Sequence, residues 1–237
     1  MFEIFKPYTN LVYLFSERKD GNMKAIDRPE NISNRNNFFI KNNIDPSKVV
    51  GKSLKHTNNI LILNEPITPE GDYDGWITNK KDIFLTITSA DCPTLFFYDP
   101  KNNAIGLVHG GWKGVAKDII KNTIALLNEN FNSNPKDILV VVGPGMCQKC
   151  YEVEKIFADN FKEYPDAFQK AGDKLHFDLN YVMNQKLLSE GIEPQNIEFS
   201  NECSYCLPDK YFSYRRDQYG CSNDDVQAMV GVFGIKK

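Results

Sequence analysis

The chain has 237 residues, of which 41% are hydrophobic and 25% charged, so it can form a substantial core in one large domain or two small ones. Its formal net charge of -3 gives it no global basic field of the kind that a dedicated nucleic-acid binder carries. Its apolar runs have the length of strands rather than of membrane spans, and its N-terminus lacks a secretory pattern. We therefore expect a cytoplasmic protein without nucleic-acid or membrane partners, whose six cysteines serve metal binding or catalysis rather than disulfides.

The predicted elements begin with a polar, asparagine-rich segment at residues 17–48, which we expect to form loop plus a short helix. Beyond it, short β-branched or aromatic runs bounded by turn residues predict a series of strands. These strands are Ile60–Leu63, Ile83–Thr88, Thr94–Tyr98, Ala104–His109, Ile138–Val142, Ile197–Phe199, Phe212–Tyr214 and Met229–Phe233. Turn residues at 99–103 predict that the third and fourth strands form an antiparallel hairpin.

Three helices are predicted, the first from its apolar spacing and the last from an Asp at its start and Gly191 after its end. They are Val115–Asn130, Glu152–Lys162 and Asp178–Glu190. Strands outnumber helices and do not alternate with them strictly. This pattern favours an α+β layered fold with a mixed sheet over a doubly wound one.

Cys92 and His109 stand near the ends of two adjoining predicted strands, and the chain has only three histidines. With His56, they offer two imidazoles and one thiolate from separate strand ends. Catalytic zinc sites use three such protein ligands and leave a fourth position for water or substrate. The alternative is that each residue is buried and inert, since free cysteine is a common core residue. The third histidine, His176, has no second ligand near it in the sequence and is interpreted as structural or exposed.

Four further side chains are candidates around this metal site. Asp91, directly before Cys92, could orient a histidine or carry protons, or it could simply form a turn. Lys113 follows a Gly-Gly turn between a strand and a helix, where exposed amides favour an anion such as phosphate. Arg215 and Arg216 follow a predicted strand, and one of them could reach a phosphate or carboxylate, although a surface pair is the commoner arrangement.

Two Cys-x-x-Cys pairs predict a different metal site. Cys147 pairs with Cys150, and Cys203 pairs with Cys206. Four thiolates in such pairs can close a structural zinc site. The 52 residues between the pairs, residues 151–202, exceed the usual gap of roughly 15–20. The four-cysteine site therefore stays an alternative, together with a redox pair.

Four sequence motifs, spread over most of the chain, resemble those of one known family. Residues 88–93 (Thr-Ser-Ala-Asp-Cys-Pro) resemble T-A-D-C-x-P, and residues 109–114 (His-Gly-Gly-Trp-Lys-Gly) resemble H-A-G-W-R-G. Residues 143–153, from Gly-Pro to Cys-Tyr-Glu-Val, resemble G-P-x-I-x-x-C-Y-E-V, and residues 212–217 match F-S-Y-R-R-D. These motifs belong to the YfiH family, also called the laccase-domain or polyphenol oxidoreductase family.

The resemblance implies a four-layer α/β/β/α arrangement with mixed sheets, in one YfiH-like catalytic domain over residues 1–237 of a cytoplasmic monomer. It also implies that His56, Cys92 and His109 bind Zn²⁺. Family members are treated as purine nucleoside phosphorylases with adenosine deaminase activity, so the expected small-molecule partners are phosphate and nucleosides (adenosine, inosine, guanosine, methylthioadenosine). In that setting Asp91, Cys92 and His109 are the expected catalytic residues, and Lys113, Arg215 and Arg216 the expected phosphate and substrate ligands.

The chain departs from the family pattern at three positions. Leu54 stands where the motif before the first zinc histidine has glutamine, Gly110 replaces alanine, and Lys113 replaces arginine. Lysine keeps the positive charge but cannot make a planar, bidentate contact. We therefore expect the substrate contacts around Lys113 to differ from those of the family.

Three other functions are compatible with the residues. The first is a copper-binding polyphenol oxidoreductase; three histidines are too few for a multicopper cluster, whereas a single blue-copper site would use two histidines, one cysteine and a weak axial methionine. The second is a metal-free cysteine hydrolase with Cys92 as nucleophile and His109 as base. The third is a partner-binding domain held together by zinc at the four paired cysteines.

Overall fold

The computed structural model describes residues 2–25, 28–68, 70–222 and 225–237. In this part of the chain the strands form sheets of four, three and six strands. The strands are β1 (Leu11–Phe15), β2 (Val49–Val50), β3 (Ile60–Ile62), β4 (Gly75–Thr78), β5 (Phe84–Ser89), β6 (Thr94–Asp99), β7 (Ala104–His109), β8 (Leu139–Val142), β9 (Glu152–Val153), β10 (Phe168–Ala171), β11 (Lys174–Phe177), β12 (Ile197–Phe199) and β13 (Met229–Ile235). The α-helices are α1 (Pro29–Lys41), α2 (Trp112–Ala116), α3 (Ile119–Phe131), α4 (Leu179–Ser189) and α5 (Tyr214–Asp217).

Both larger sheets are mixed. The six-stranded sheet has the order β12-β8-β6-β7-β4-β3, in which the two outer pairs are parallel and the inner pairs antiparallel. The four-stranded sheet has the order β1-β13-β5-β2, with only β2 and β5 parallel. The predicted hairpin is confirmed, because β6 and β7 pair antiparallel from Thr94 opposite His109 to Asp99 opposite Ala104.

Buried side chains fill the spaces between these layers. The alternation of side chains along β6 shows the arrangement. Leu95 and Phe97 pack with α3 and α4 on one face of the six-stranded sheet, whereas Phe96 and Tyr98 pack against the four-stranded sheet on the other. Helix α1 packs on the far face of the four-stranded sheet. The layer order is therefore α/β/β/α with mixed sheets, which confirms the expected fold class.

The first predicted helix is wrong as a single element. Residues 115–130 contain the end of α2 and most of α3, and the two helices are separated at Asp118, which has a left-handed backbone with φ of 63°. An aspartate tolerates this conformation because its short polar side chain can bond locally. The apolar spacing continues across the break, since both helices bury side chains in the same core, so periodicity alone does not reveal it.

Two other predicted elements are also wrong. The predicted helix Glu152–Lys162 is the short strand β9 followed by a 3-10 helix, Lys155–Phe161. The predicted strand Phe212–Tyr214 is not a strand, because Phe212 and Ser213 are irregular and Tyr214 begins α5. The Ser213 hydroxyl caps this helix by accepting a hydrogen bond from the Arg216 amide at 3.1 Å. A serine in this capping role ends extended structure and starts a helix.

The remaining predicted elements are confirmed within one or two residues, including α4, where Asp178 caps the first turn and Gly191 follows the end with φ of 86°. The polar segment 17–48 holds the 13-residue helix α1, longer than expected, and its residues 26–27 lie outside the described part. Strands β1, β2, β4, β9, β10 and β11 are additional to those predicted. No helix in the described ranges is long and apolar enough to cross a membrane.

Candidate metal centre

One strand end, one turn and one loop bring His109, Cys92 and His56 together. His109 is the last residue of β7, and Cys92 lies in the turn between β5 and β6, whose first residue Thr94 pairs with His109. His56 lies in the loop before β3, with a left-handed φ of 58°. The ligand atoms of the three side chains all lie within 4.8 Å of one another. The structure thus places the three predicted metal ligands at one point.

The two imidazole rings approach closely because a glycine lies beside them. The rings of His56 and His109 meet edge to face with centroids 4.9 Å apart. A Cβ at Gly111 would lie 2.9 Å from Cε1 of His109 and 3.3 Å from Cδ2 of His56. The Gly-Gly turn therefore provides room for both rings, which is a steric role different from the anion-binding role predicted for it.

Asp74, which the sequence did not indicate as a site residue, forms hydrogen bonds to both histidine-bearing segments of the centre. It precedes β4, the strand next to β7, and is fully buried. One carboxylate oxygen, Oδ1, accepts from the His56 amide at 2.9 Å and lies 3.0 Å from Nδ1 of His109. The other, Oδ2, accepts from the amides of Lys55 and Thr57 and from the Thr57 hydroxyl at 2.7–3.2 Å. One carboxylate thus fixes a ring of the centre and the loop that carries the other ring.

This contact determines which nitrogen of His109 is available to a ligand. A carboxylate bonded to Nδ1 keeps a proton there, so Nε2 is the nitrogen that loses its proton and offers its lone pair when a metal enters. Burial would raise the pKa of Asp74, but hydrogen bonds from His109 and Thr57 outweigh it and lower that pKa to about 2. Asp74 is therefore a carboxylate at all ordinary pH values.

In the protein without metal, Cys92 and His109 each shift the pKa of the other toward its charged form. Burial raises the pKa of the Cys92 thiol, but the charge and hydrogen bond of His109 and a hydrogen bond from His56 outweigh it, and the pKa falls to about 6. Burial lowers the pKa of His109, yet Cys92 and Asp74 raise it to about 9. A thiolate near two imidazoles is the donor set that zinc accepts, so these residues fit the expected ion.

Asp91 lies beside this centre but does not contact a histidine ring. Its buried carboxylate accepts hydrogen bonds from the Ser204 hydroxyl at 2.6 Å, the Ser213 hydroxyl at 3.0 Å and the Arg215 amide at 2.7 Å. The expectation that Asp91 orients a histidine is wrong, because Asp74 has that position. Asp91 instead joins the loop that carries Cys92 to two distant segments, and its role as a proton carrier stays a prediction.

A cavity of about 420 Å³ opens over the metal centre. Its lining includes the three candidate ligands and Asp91, together with a group of larger side chains. These are Leu54, Trp112, Met146, Tyr151, Tyr214, Arg215 and Tyr219. A second depression of about 740 Å³ shares Trp112, Tyr151, Arg215 and Tyr219 with it. The site is thus a cleft whose wall holds the candidate ligands together with four large aromatic side chains, Trp112, Tyr151, Tyr214 and Tyr219.

The three predicted phosphate ligands differ in position. Arg215 lines the cavity, with its guanidinium 5.7 Å and 5.8 Å from the rings of Tyr151 and Tyr219. Arg216 donates to the carbonyls of Ser204, Tyr205 and Tyr211 at 2.6–2.8 Å and to Asp217. Lys113 is exposed, with its ammonium 5.6 Å from the ring centroid of Trp112. Neither Lys113 nor Arg216 is among the described residues that line this cavity.

The two Cys-x-x-Cys pairs also come together. The sulfur atoms of Cys147, Cys150, Cys203 and Cys206 all lie within 4.8 Å of one another. His176, on β11, is partly buried with Nδ1 3.2 Å from the Gln148 carbonyl, so it has the structural place expected of it. The described residues therefore contain two groups of side chains that could each hold a metal ion.

Comparison with known families agrees with this geometry. The family model described as "Multi-copper polyphenol oxidoreductase laccase" matches residues 16–224. The chain belongs to this family. The solved structure titled "Crystal structure of Bacillus licheniformis hypothetical protein YfiH" superposes with a TM-score of 0.86 at 25% identity, over 97% of this chain and 94% of that one.

Curated relatives carry a more specific name. The Bacillus subtilis protein named purine nucleoside phosphorylase YlmD is 36% identical over 169 residues, covering 69% of this chain and 59% of the relative. The human protein named purine nucleoside phosphorylase LACC1 is 28% identical over 228 residues, covering 94% of this chain and 50% of the relative. The match thus spans between half and three fifths of the length of these two relatives.

Proposed function

We propose that this chain is a zinc-dependent purine nucleoside phosphorylase with adenosine deaminase activity. The observation that carries the proposal is the convergence of the ligand atoms of His56, Cys92 and His109 within 4.8 Å on the wall of a cleft. The names of the relatives supply the reaction class. We propose adenosine, inosine, guanosine and methylthioadenosine as its nucleoside substrates. The cytoplasmic location and the monomeric state of the protein stay predictions.

The protein's own residues prepare the centre for a metal ion. Asp74 holds the Nδ1 proton of His109, so that Nε2 faces the ligand, and it anchors the His56 loop through the His56 amide. Cys92 is a thiolate at neutral pH because its pKa is lowered to about 6. When bound, zinc supplies Lewis acidity, which polarises an oxygen atom or lowers the pKa of a water molecule.

The cleft offers separate groups to the base and to phosphate. The rings of Tyr151 and Tyr219 provide flat apolar faces for a purine. Arg215 provides a planar cation for phosphate. Its guanidinium is positioned by a hydrogen bond that it donates to the Glu152 carbonyl at 2.8 Å. Asp91, on the cavity wall, is the proposed proton carrier. In phosphorolysis, phosphate would attack the anomeric carbon of the ribose as the purine leaves.

Chromatography of nucleoside reactions tests this proposal. Zinc-loaded protein incubated with adenosine and phosphate should yield adenine, and no adenine should form when phosphate is omitted. Formation of inosine without phosphate would report the deaminase activity separately. The matched pair of variants is His109→Ala, which removes a ligand of this centre, and His176→Ala, which removes a histidine on β11 outside it. Activity in His109→Ala equal to that of His176→Ala would contradict the assignment.

Copper chemistry is a second candidate, because Met146 lines the same cavity as the two histidines and the cysteine. Two histidines, one cysteine and a weak axial methionine are the ligands of a blue-copper site. Loading with Cu(II) should then give an intense blue colour that is lost in Cys92→Ala, whereas Met146→Ala should shift the reduction potential of the site. A protein that binds Cu(II) without this colour would exclude the site.

Cysteine hydrolysis is the third candidate, and the contact series Cys92, His109 and Asp74 favours it. A thiolate, a base and a carboxylate that orients the base form the arrangement of nucleophilic catalysis. This mechanism requires activity after metal removal. An enzyme that loses activity with a chelator and recovers it with zinc would exclude it.

A further inference from the structure

The four paired cysteines lie on two neighbouring loops outside the catalytic cleft. Strands β8 and β12 are parallel neighbours, with Phe199 opposite Val142, so the loops that follow them leave the sheet side by side. Cys147 and Cys150 belong to the first loop and Cys203 and Cys206 to the second. A β-bridge between Gly145 and Cys203 joins the loops, as does the Ser204 amide, which donates to the Gly145 carbonyl at 3.0 Å.

The sulfur positions have the spacing of a tetrahedral metal site. A Zn–S distance of about 2.3 Å places the sulfurs of a tetrahedral site about 3.8 Å apart. Here Cys147 and Cys150 are 3.7 Å apart, Cys150 and Cys206 are 3.3 Å apart, and all four sulfurs lie within 4.8 Å of one another. A disulfide requires about 2.05 Å, and none of these cysteines is in one. Sulfurs this close can surround one ion rather than a cluster of several.

The backbone is also arranged for a thiolate site. The Cys147 amide donates to the sulfur of Cys203 at 3.3 Å, and such donation across the two loops stabilises negative charge on the sulfur. The Cys150 amide returns to the Cys147 carbonyl at 3.0 Å in a tight turn. This turn directs both sulfurs of the first pair to the same side.

We propose that Cys147, Cys150, Cys203 and Cys206 bind a second zinc ion, which has a structural role. A site with four thiolates is closed, because no coordination position remains for water or substrate. This distinguishes it from the three-ligand centre of His56, Cys92 and His109. Binding requires only that the thiols lose their protons to solvent as the ion enters, with no oxidant or reductant.

The second ion would stabilise the position of one wall of the cleft. Ser204, between the cysteines of the second pair, donates its hydroxyl to Asp91 at 2.6 Å and its carbonyl accepts from Arg216 at 2.8 Å. Tyr151, directly after Cys150, lines the cavity. Zinc would therefore hold Asp91 and Tyr151 in place through their neighbours, without touching the substrate.

Metal counting on the intact chain tests the proposal. Protein produced with added zinc and kept reduced is passed through a desalting column, and its zinc is measured by mass spectrometry. About two ions per chain are expected for the wild type, and about one when either set of ligands is disrupted. Cys147→Ser and Cys203→Ser each disrupt the four-cysteine site, and the Cys92→Ala, His109→Ala double variant disrupts the catalytic centre. Cys221→Ser is the matched control and should keep about two zinc ions per chain.

X-ray absorption makes the test independent of whether the cysteine variants fold. In the Cys92→Ala, His109→Ala double variant the remaining zinc should show only sulfur neighbours, four of them at about 2.3 Å. Absence of zinc from this variant, nitrogen in its coordination shell, or iron in place of zinc would each overturn the proposal. Absence of phosphorylase activity would refute the proposed function but leave this zinc site unaffected.

Discussion

Replacing Asp74 with asparagine is the most informative single perturbation of the proposed catalytic centre, the group of His56, Cys92 and His109. Oδ1 of this carboxylate faces two donors, the His56 amide and Nδ1 of His109, and Oδ2 faces three, the amides of Lys55 and Thr57 and the Thr57 hydroxyl. An asparagine has one acceptor oxygen and one NH₂ group. In either orientation the NH₂ group therefore points at N–H donors that the carboxylate had satisfied.

The less costly orientation keeps the oxygen at the three donors and points NH₂ at His56 and His109. The ring of His109 can then adapt only by moving its proton to Nε2, which removes the lone pair that would bind zinc. Loss of a carboxylate partner of a metal-binding histidine costs about 10–100-fold in metal affinity. The His56 amide is left unsatisfied, and hydrogen bonds to a buried charge are lost, so we expect about 2–4 kcal/mol of destabilisation.

Zinc titration with a competing chelator, together with denaturant unfolding, separates the two effects. Asp99→Asn is the matched control, because Asp99 is also fully buried and accepts from the Lys101 amide at 2.9 Å, but it lies at the opposite end of β6 from Thr94 and the metal centre. Its zinc affinity at the catalytic centre should equal that of the wild type. Wild-type zinc affinity in Asp74→Asn would refute the tautomer reasoning, whatever the change in stability.

Three further predictions concern charged groups near the cleft. In metal-stripped protein, the rate of alkylation of Cys92 should rise with pH around a midpoint near 6. His109→Gln should move this midpoint toward that of an ordinary thiol. A wild-type midpoint above 8 would contradict the interaction between Cys92 and His109. Arg215→Ala should raise the KM for phosphate at least 10-fold, whereas Arg216→Ala should lower the Tm because its three carbonyl contacts are lost. Arg216 and Arg18 lower the pKa of Asp217 to about 2. The stability that this carboxylate contributes is therefore present above pH 4 and should be lost between about pH 4 and 2. In Asp217→Asn, the free energy of unfolding should depend less on pH in that window.

The sequence predicted the ligands of the catalytic centre because their chemistry is local. Cys92 and His109 are strong metal ligands near the ends of apolar runs that form strands, and the hairpin turn between those runs indicated that the strands pair. Once β6 and β7 pair, the two side chains must lie at the same edge of the sheet. His56 was added on ligand type alone, as one of only three histidines, and the family motif pointed to the same residue, but its loop has no regular pattern that would place it at this edge.

Asp74 could not be predicted because its importance depends on a strand that the sequence did not indicate. β4 has four residues, Gly75 to Thr78, begins with a glycine, and directly follows a run of turn-forming residues at 71–74 that indicates a loop. Only its pairing with β7, with Gly75 opposite Val108, places Asp74 beside His109. The four-cysteine site stayed an alternative for a related reason. The 52 residues between the two pairs gave no sign that β8 and β12 are parallel neighbours.

Backbone strain and buried carboxylates coincide at the catalytic centre. His56 and Asp91 both have left-handed backbones, with φ of 58° and 86°, a conformation that costs of order 1–3 kcal/mol at non-glycine residues outside a favourable turn. Each is held by a carboxylate: Asp74 accepts from the amide of His56, and Asp91 itself accepts from Ser204, Ser213 and the Arg215 amide. Because both networks are assembled from distant segments, they can form only when the sheets are in place. The metal-binding geometry is therefore a product of the completed fold rather than of the loops that carry the ligands.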